Sequence, residues 1–292
     1  MAEGRVRLEG GYHNDVYRLR SGGRTVVEKQ YATPLGPNPM YPNLPEQEAL
    51  ALQVLAPTGR APRFVSFRPA KGGERAVLTY EFVRGTEWAR GVADVARLLH
   101  DVHRAPVDRR LRRLLATPAE VLGHADEMIS EVPSTLSAAL RAVRPSFSSP
   151  DLRSRAAVES IVHTDCGPGN VIRGGEHGLV LIDWQCPGRG DATEDVACFR
   201  SPAMMILYGK TPMSVRTARH FLGSYAALSA PGATTVARHA AVGAAWHYRI
   251  GGYCVWRAHE LRRRAPEVAE RYRRALDAEI GLLRAWEPEV AG

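Results

Sequence analysis

Two short segments carry side chains suited to one kind of chemistry. Val162-His163-Thr164-Asp165-Cys166-Gly167-Pro168-Gly169-Asn170 has the form His-x-Asp-x4-Asn, and Leu181-Ile182-Asp183-Trp184 adds a second aspartate after a short hairpin. This spacing sets the Asp165 carboxylate beside a hydroxyl to be phosphorylated. It sets the Asn170 amide and the Asp183 carboxylate where a hard cation can join them to a triphosphate. Neutral and anionic oxygen donors suit Mg²⁺, which keeps waters and phosphate oxygens in its shell. Phosphoryl transfer asks a protein for in-line positioning and charge neutralisation rather than covalent chemistry. A carboxylate aimed at the acceptor can orient it and take its proton late in transfer. His163 is expected to support the loop by hydrogen bonding rather than to move a proton. An isolated loop aspartate more often caps a turn; His163, Asn170 and Asp183 at these offsets argue against that for Asp165.

The elements around these segments divide into a β-rich beginning and a helical remainder. Val6-Arg7-Leu8, Val16-Tyr17-Arg18-Leu19 and Thr25 to Tyr31 read as strands, the last two joined by a Ser21-Gly22-Gly23 turn. A proline-rich connector, Thr33 to Pro45, precedes a buried helix from Glu46 to Leu55. Arg63–Phe67 and Arg75–Val83 are further strands around a Lys71-Gly72-Gly73 turn. After Arg84-Gly85 the apolar spacing becomes helical, first over Val92–Val102 and later over Val215–Leu228, Val236–Glu260 and Pro266–Trp286. The division predicts an α+β protein of two lobes around a cleft, with residues 1–83 as the first lobe and 84–292 as the second. Lys29 lies centrally in a strand, an unusual place for an ammonium unless it reaches a partner. Glu48 opens the following helix and is its expected partner, with Glu46 as the alternative.

Together these residues resemble the aminoglycoside phosphotransferase and choline kinase-like family. Gly190-Asp191-Ala192-Thr193-Glu194-Asp195-Val196-Ala197 is similar to that family's Gly-Asp-Pro-x-x-Asp-Leu-Ala. The resemblance implies a bilobal protein-kinase-like fold with ATP and Mg²⁺ as cofactors. It implies that Lys29 binds the α- and β-phosphates, that Glu48 pairs with it, and that Asn170 and Asp183 hold the metal. It makes Gly10-Gly11-Tyr12-His13-Asn14-Asp15 a nucleotide-covering hairpin, with Gly11, His13 and Asn14 near the phosphates. It makes Tyr80–Val83 the interlobe hinge, where the carbonyl of Glu81 and the amide of Val83 would meet adenine. Thr164 stands where glycine is commoner, Gln185 where many relatives carry Glu, and Ala192 where Pro is usual. None of these removes the base or a metal ligand.

Composition narrows the partners. The 292 residues carry a net charge of +8 with 45% hydrophobic content, and no apolar run is long enough for a membrane span. The start lacks a signal-type segment, so a cytoplasmic enzyme is expected. Cys166, Cys186, Cys198 and Cys254 form no C-x-x-C pair and read as free thiols. Lysine occurs only at Lys29, Lys71 and Lys210; the basicity is arginine, without a nucleic-acid-binding signature. From Val196 to Arg264 the one acidic residue is Glu260 against ten basic ones, among them Arg238, Arg249 and Arg257. A polycationic aminoglycoside needs acids, so the expected acceptor is a neutral or anionic hydroxyl compound of antibiotic or natural-product type. The alternative is Ser or Thr in an acidic peptide. Trp246-His247-Tyr248-Arg249 and Tyr253-x-x-Trp256-Arg257 share helical spacing and are candidates to stack on a planar ring or clasp an acid. The order of segments in the family this chain resembles implies that Ser201–Met205 lies near the acceptor mouth.

Overall fold

The computed structural model describes residues 4–8, 14–32, 38–147, 157–174 and 178–286. Its β-branched N-terminal segments pair as an antiparallel sheet. Strands β1 (Val6–Arg7), β2 (Asp15–Ser21), β3 (Arg24–Gln30), β4 (Phe64–Arg68) and β5 (Val77–Glu81) lie in the order β1-β2-β3-β5-β4. Gly22 and Gly23 both take positive φ, which lets two residues reverse the chain between β2 and β3. In the central strand, Lys29 lies opposite Val16 on one side and Leu78 on the other. Period-two alternation puts Val27, Lys29 and Tyr31 on one face, which is covered by helix α1 (Pro45–Leu55). Proline at its first position and acids in its first turn fit a helix start. Strand β5 is shorter than the sequence suggests. Arg75 leaves the ladder to give its guanidinium to the carbonyls of Tyr31 and Gln30, at 2.7 Å each.

The chain leaves the sheet through Arg84-Gly85. A Cβ on Gly85 would lie 2.3 Å from the Arg173 carbonyl oxygen, and one on Gly174 would lie 1.9 Å from that of Arg84. Two backbones cross here in direct contact, which only glycine permits. Beyond the crossing come strand β6 (Thr86–Glu87) and helices α2 (Val92–His103), α3 (Pro118–Ser130) and α4 (Ser134–Arg141). Strands β7 (Glu159–Val162), β8 (Val171–Arg173), β9 (Leu179–Leu181) and β10 (Gly188–Asp191) follow. The rest is helical: α5 (Thr193–Arg200), α6 (Pro202–Leu207), α7 (Val215–Ala226), α8 (Ala230–Val242), α9 (Ala244–Leu261) and α10 (Pro266–Arg284). Among the described residues no helix is long and apolar enough to cross a membrane.

Leu52 and Leu55 of α1 and Leu78 of β5 share one buried cluster with Val95, Leu98 and Leu99 of α2 and with Leu181 and Trp184. Each buried leucine contributes about 1.5–3 kcal/mol, against about 1 kcal/mol for a typical hydrogen bond. Apolar packing therefore holds the lobes together more than interlobe bonds such as Leu181 N to Arg60 O (2.9 Å) do.

Two expectations need correction. The single helix over Val236–Glu260 is two helices, α8 and α9, that part at Gly243. A Cβ there would meet the His239 carbonyl oxygen at 2.4 Å. Helix α8 begins earlier than expected, because Ser229 accepts from the Gly232 amide as its cap and Pro231 occupies the first turn. The aromatic and guanidinium face of α9 is packed inside the helical lobe rather than displayed as an open surface. Trp246, His247, Tyr248, Arg249, Tyr253, Trp256 and Arg257 are all buried, with α9 packed between α3 and α10.

Candidate active site

A hairpin brings Asn170 and Asp183 together. Strands β8 and β9 pair with Val171 opposite Leu181, and the Ile182 amide donates to the Asn170 carbonyl at 2.9 Å. Asn170 enters the hairpin and Asp183 leaves it, one residue past the point opposite. The β6–β8–β9 sheet fixes this end against the start of the helical lobe.

The loop carrying Asp165 leaves β7, which is pinned to β10 with Val162 opposite Gly188. Its backbone hangs from one buried carboxylate. Asp195 accepts from the amides of His163 and Thr164, both at 2.8 Å, and lies 3.1 Å from His103 Nε2. Burial opposes its charge, but these bonds hold its pKa below the ordinary value. His163 is fully buried and edge-on to Trp184. The Asp165 amide donates to its Nδ1 at 3.2 Å, so Nε2 carries the proton and donates to the Ile182 carbonyl at 2.9 Å. Burial lowers its pKa. A neutral imidazole with both nitrogens engaged braces the loop and is not poised to shuttle protons.

Thr164 adopts φ +72°, the left-handed region that a β-branched side chain avoids. Its hydroxyl donates to the Cys186 carbonyl at 3.1 Å, and Asp195 holds its amide. Glycine would take this conformation freely but forfeit the hydroxyl bond. Thr164→Gly should therefore leave stability within about 1 kcal/mol of wild type, read by urea denaturation; a loss of 3 kcal/mol or more would mean that the backbone there is not strained.

Lys29 joins the two lobes. Its Nζ lies 2.8 Å from Glu48 Oε2 and 2.7 Å from Asp183 Oδ1, and both Lys29 and Glu48 are almost wholly buried. Glu46 is exposed, which resolves the choice of partner. Burial works against the ammonium, but the two carboxylates outweigh it and raise the Lys29 pKa. Burial raises the Glu48 pKa, although Lys29 counters it. Tyr31, which no spacing argument had picked out, donates its hydroxyl to Glu48 Oε2 at 2.5 Å. Asp183 sits at φ +60° with its side chain 45% exposed, and although the surrounding protein partly desolvates it, Lys29 holds its pKa below the ordinary value. With Oδ1 on Lys29, Oδ2 remains for another cation.

Asp165 is half-buried. Burial first, and then the charge of Asp183, pushes its pKa up to about 7. Asn170 gives its Nδ2 protons to the Asp165 carbonyl (2.8 Å) and to the Tyr208 hydroxyl (3.0 Å), which leaves its Oδ1 as the free donor atom. Among the described residues no three His, Cys, Asp or Glu side chains cluster as a metal cage. Asn170 Oδ1 with one Asp183 oxygen instead suits a hard cation that completes its shell with water and phosphate.

The remaining candidates behave differently. Gly11 and His13 lie outside the described residues. Asn14 is buried, and its amide makes a reciprocal pair with Asn43, at 3.0 and 2.6 Å, while its Oδ1 also takes the Ala32 amide. That ties the hairpin to the connector. At the hinge, the Glu81 amide donates to Arg63 O and the Phe82 amide to Thr25 O, whereas the Val83 amide has no backbone acceptor among the described residues. The Glu81 side chain pairs with Arg24 at 2.8 Å.

Part of the arginine surplus of the helical lobe is internal, whereas Arg216, Arg219, Arg262, Arg263 and Arg264 are exposed. Arg238 pairs with Asp191 at 2.5 Å, Arg249 with Glu194 at 2.7 Å, and Arg257 and Arg264 with Glu260. Asp191 and Glu194 fall just outside the acid-poor stretch. Beside the charged Asp183, the tyrosines Tyr41, Tyr208 and Tyr253 surround Asp165. The Tyr41 ring lies edge-on to Tyr253 at 5.0 Å, and its hydroxyl lies 3.8 Å from Met204 Sδ. Burial, and then the Asp165 charge, raises the Tyr41 pKa.

The profile of the phosphotransferase enzyme family matches residues 5–210. No curated protein matches the chain in sequence. Among solved structures, a Ralstonia eutropha protein classed with the aminoglycoside phosphotransferases aligns with a TM-score of 0.69 at 15% identity, covering 97% of this chain and 92% of that one. The choline kinase LicA of Streptococcus pneumoniae aligns with a TM-score of 0.63 at 16% identity, over 96% and 95%. Spectinomycin phosphotransferase APH(9)-Ia, solved with ADP and spectinomycin, aligns at 0.58 and 13% identity, over 94% and 92%. The family match spans the sheet and the hairpin that carries Asn170 and Asp183, so the chain belongs to the aminoglycoside phosphotransferase-like phosphotransferase family, on a bilobal kinase-like fold.

Proposed function

We propose that this protein transfers the γ-phosphoryl group of ATP to a hydroxyl of a neutral small molecule. Residues 1–83 would bind the nucleotide, and residues 84–292 would supply the base and the acceptor site. The observation that carries this reading is Lys29, held 2.8 Å from Glu48 and 2.7 Å from Asp183 across the cleft. An ammonium so fixed is ready to meet phosphate oxygens, and the neighbouring donors Asn170 and Asp183 would hold Mg²⁺. Bound there, the ion would neutralise charge on the triphosphate. Asp165 orients the acceptor hydroxyl and takes its proton; the half-buried carboxylate, with its raised pKa, is a stronger base than an exposed one. His163 and Asp195 keep the loop in shape. The relatives named for choline and spectinomycin support an alcohol acceptor of small size.

A neutral acceptor is preferred to an anionic one or an acidic peptide. Both of those drew on the arginine-rich lobe, and Arg238, Arg249 and Arg257 already have carboxylate partners. A polycation is disfavoured because, among the described residues, Asp165 and Asp183 are the partly exposed acids at the reacting centre. Transfer from labelled ATP should be measured across neutral sugars, nucleosides, acidic glycosides, aminoglycosides and acidic peptides. The neutral compounds should be phosphorylated most efficiently, and kcat/KM for a kanamycin-type polycation above that for every neutral compound would reject this reading of the acceptor.

A further inference from the structure

Tyr208 belongs to none of the motifs described for the sequence, yet it touches both residues that flank the reacting centre. It follows α6, and its ring occupies space left by two glycines. A Cβ on Gly167 would come within 2.1 Å of its Cε2, and one on Gly169 within 2.2 Å of its Cδ1. From this cradle the hydroxyl reaches 3.3 Å from Asp165 Oδ1 and 3.0 Å from Asn170 Nδ2.

The chemistry of these groups fixes the direction of each bond. A phenol has one proton to give and lone pairs to accept. An amide nitrogen only donates, so Tyr208 accepts from Asn170 and gives its own proton to Asp165. The second Nδ2 proton of Asn170 goes to the Asp165 carbonyl at 2.8 Å. A flipped amide would set its oxygen against that carbonyl and against a phenol whose proton is already committed. Together with the Asp165 carbonyl, Tyr208 thus holds the amide orientation that leaves Oδ1 outward, and it engages one carboxylate oxygen of Asp165.

We propose that Tyr208 is a positioning residue for phosphoryl transfer, aiming Asp165 at the acceptor and Asn170 at the cation through a single hydroxyl. The proposal rests on the phosphotransferase reading above. Misplacing a reacting group by about 1 Å can cost on the order of 100-fold in rate, and here one oxygen governs two groups.

Tyr208→Phe keeps the ring in its cradle and removes only that oxygen. With the acceptor found above, or with water as acceptor, kcat should fall about 10- to 100-fold. KM for ATP and the melting temperature should stay near wild type. A calorimetric titration with ADP should need severalfold more Mg²⁺ to reach wild-type affinity, while metal-free ADP binding is unchanged. Gly167→Ala, which pushes the ring out of the cradle, should reproduce the loss of kcat. Wild-type kcat and magnesium dependence in Tyr208→Phe would overturn the proposal. So would a covalent phosphate on Tyr208 after incubation with ATP and Mg²⁺, seen by mass spectrometry, because the phenol would then be an acceptor and not a guide. If the wild-type protein neither binds ADP with Mg²⁺ nor consumes ATP, the phosphotransferase reading itself fails. A crystal structure of Tyr208→Phe decides the positioning claim independently: rotated Asp165 and Asn170 side chains support it, and unmoved ones sink it.

Discussion

Asp165→Ala should lower kcat for phosphate transfer by about 10²- to 10⁴-fold, the usual range for loss of a positioned general base, while ATP binding is retained. Turnover within tenfold of wild type would remove Asp165 from the role of base. The same carboxylate links activity to pH. Burial and the charge of Asp183 raise its pKa to about 7, well above that of an unfolded aspartate. The folded protein therefore holds a proton that the unfolded chain has lost between about pH 4 and 7. Stability falls as pH rises through that window, and the full penalty stands above it. Asp165→Asn keeps the shape and removes the charge. It should stabilise the nucleotide-free protein by on the order of 3 kcal/mol at pH 8 and hardly at all at pH 4, measured by urea unfolding. Activity runs the other way, because only the ionised carboxylate accepts a proton.

Lys29→Met should lose both function and stability. Glu48 would remain almost wholly buried, hydrogen-bonded to the Tyr31 hydroxyl but without a cation beside it among the described residues. Removing one partner of a buried pair costs about 3–5 kcal/mol, because the other charge is left uncompensated. The loss should be smaller at low pH, where Glu48 takes up a proton, and larger as pH rises. A double variant, Lys29→Met with Glu48→Leu, removes both charges and should regain much of the stability without regaining activity. If the double variant were as unstable as the single one, the uncompensated carboxylate would not be the cause. Nucleotide binding should weaken in both, because neither offers an ammonium to the phosphates.

The parts of the site that could be read along the chain are those fixed by local structure. Asn170 and Asp183 meet because β8 and β9 form a short hairpin, whose pairing follows from nearby residues. Strand β3 could be read from its β-branched residues, and Lys29 stood out there because a buried ammonium requires a partner. The break at Gly243 was missed because apolar residues continue at helical spacing on both sides of it. Its signal was at the other end of α8, in the Ser229 cap and Pro231.

By itself the sequence determined the β-rich and helical halves, the hairpin that joins Asn170 to Asp183, and the loop that carries Asp165. Only the tertiary structure decided that Lys29 takes Glu48 and not Glu46, that Arg238 and Arg249 are spent on Asp191 and Glu194, and that Tyr208 stands over Gly167 and Gly169. The reason is one of range. Hydrogen bonds within a turn or hairpin depend on neighbours along the chain, whereas the partner of a buried charge or a phenol depends on which helices pack together. A count of charges in one stretch cannot see carboxylates delivered from another.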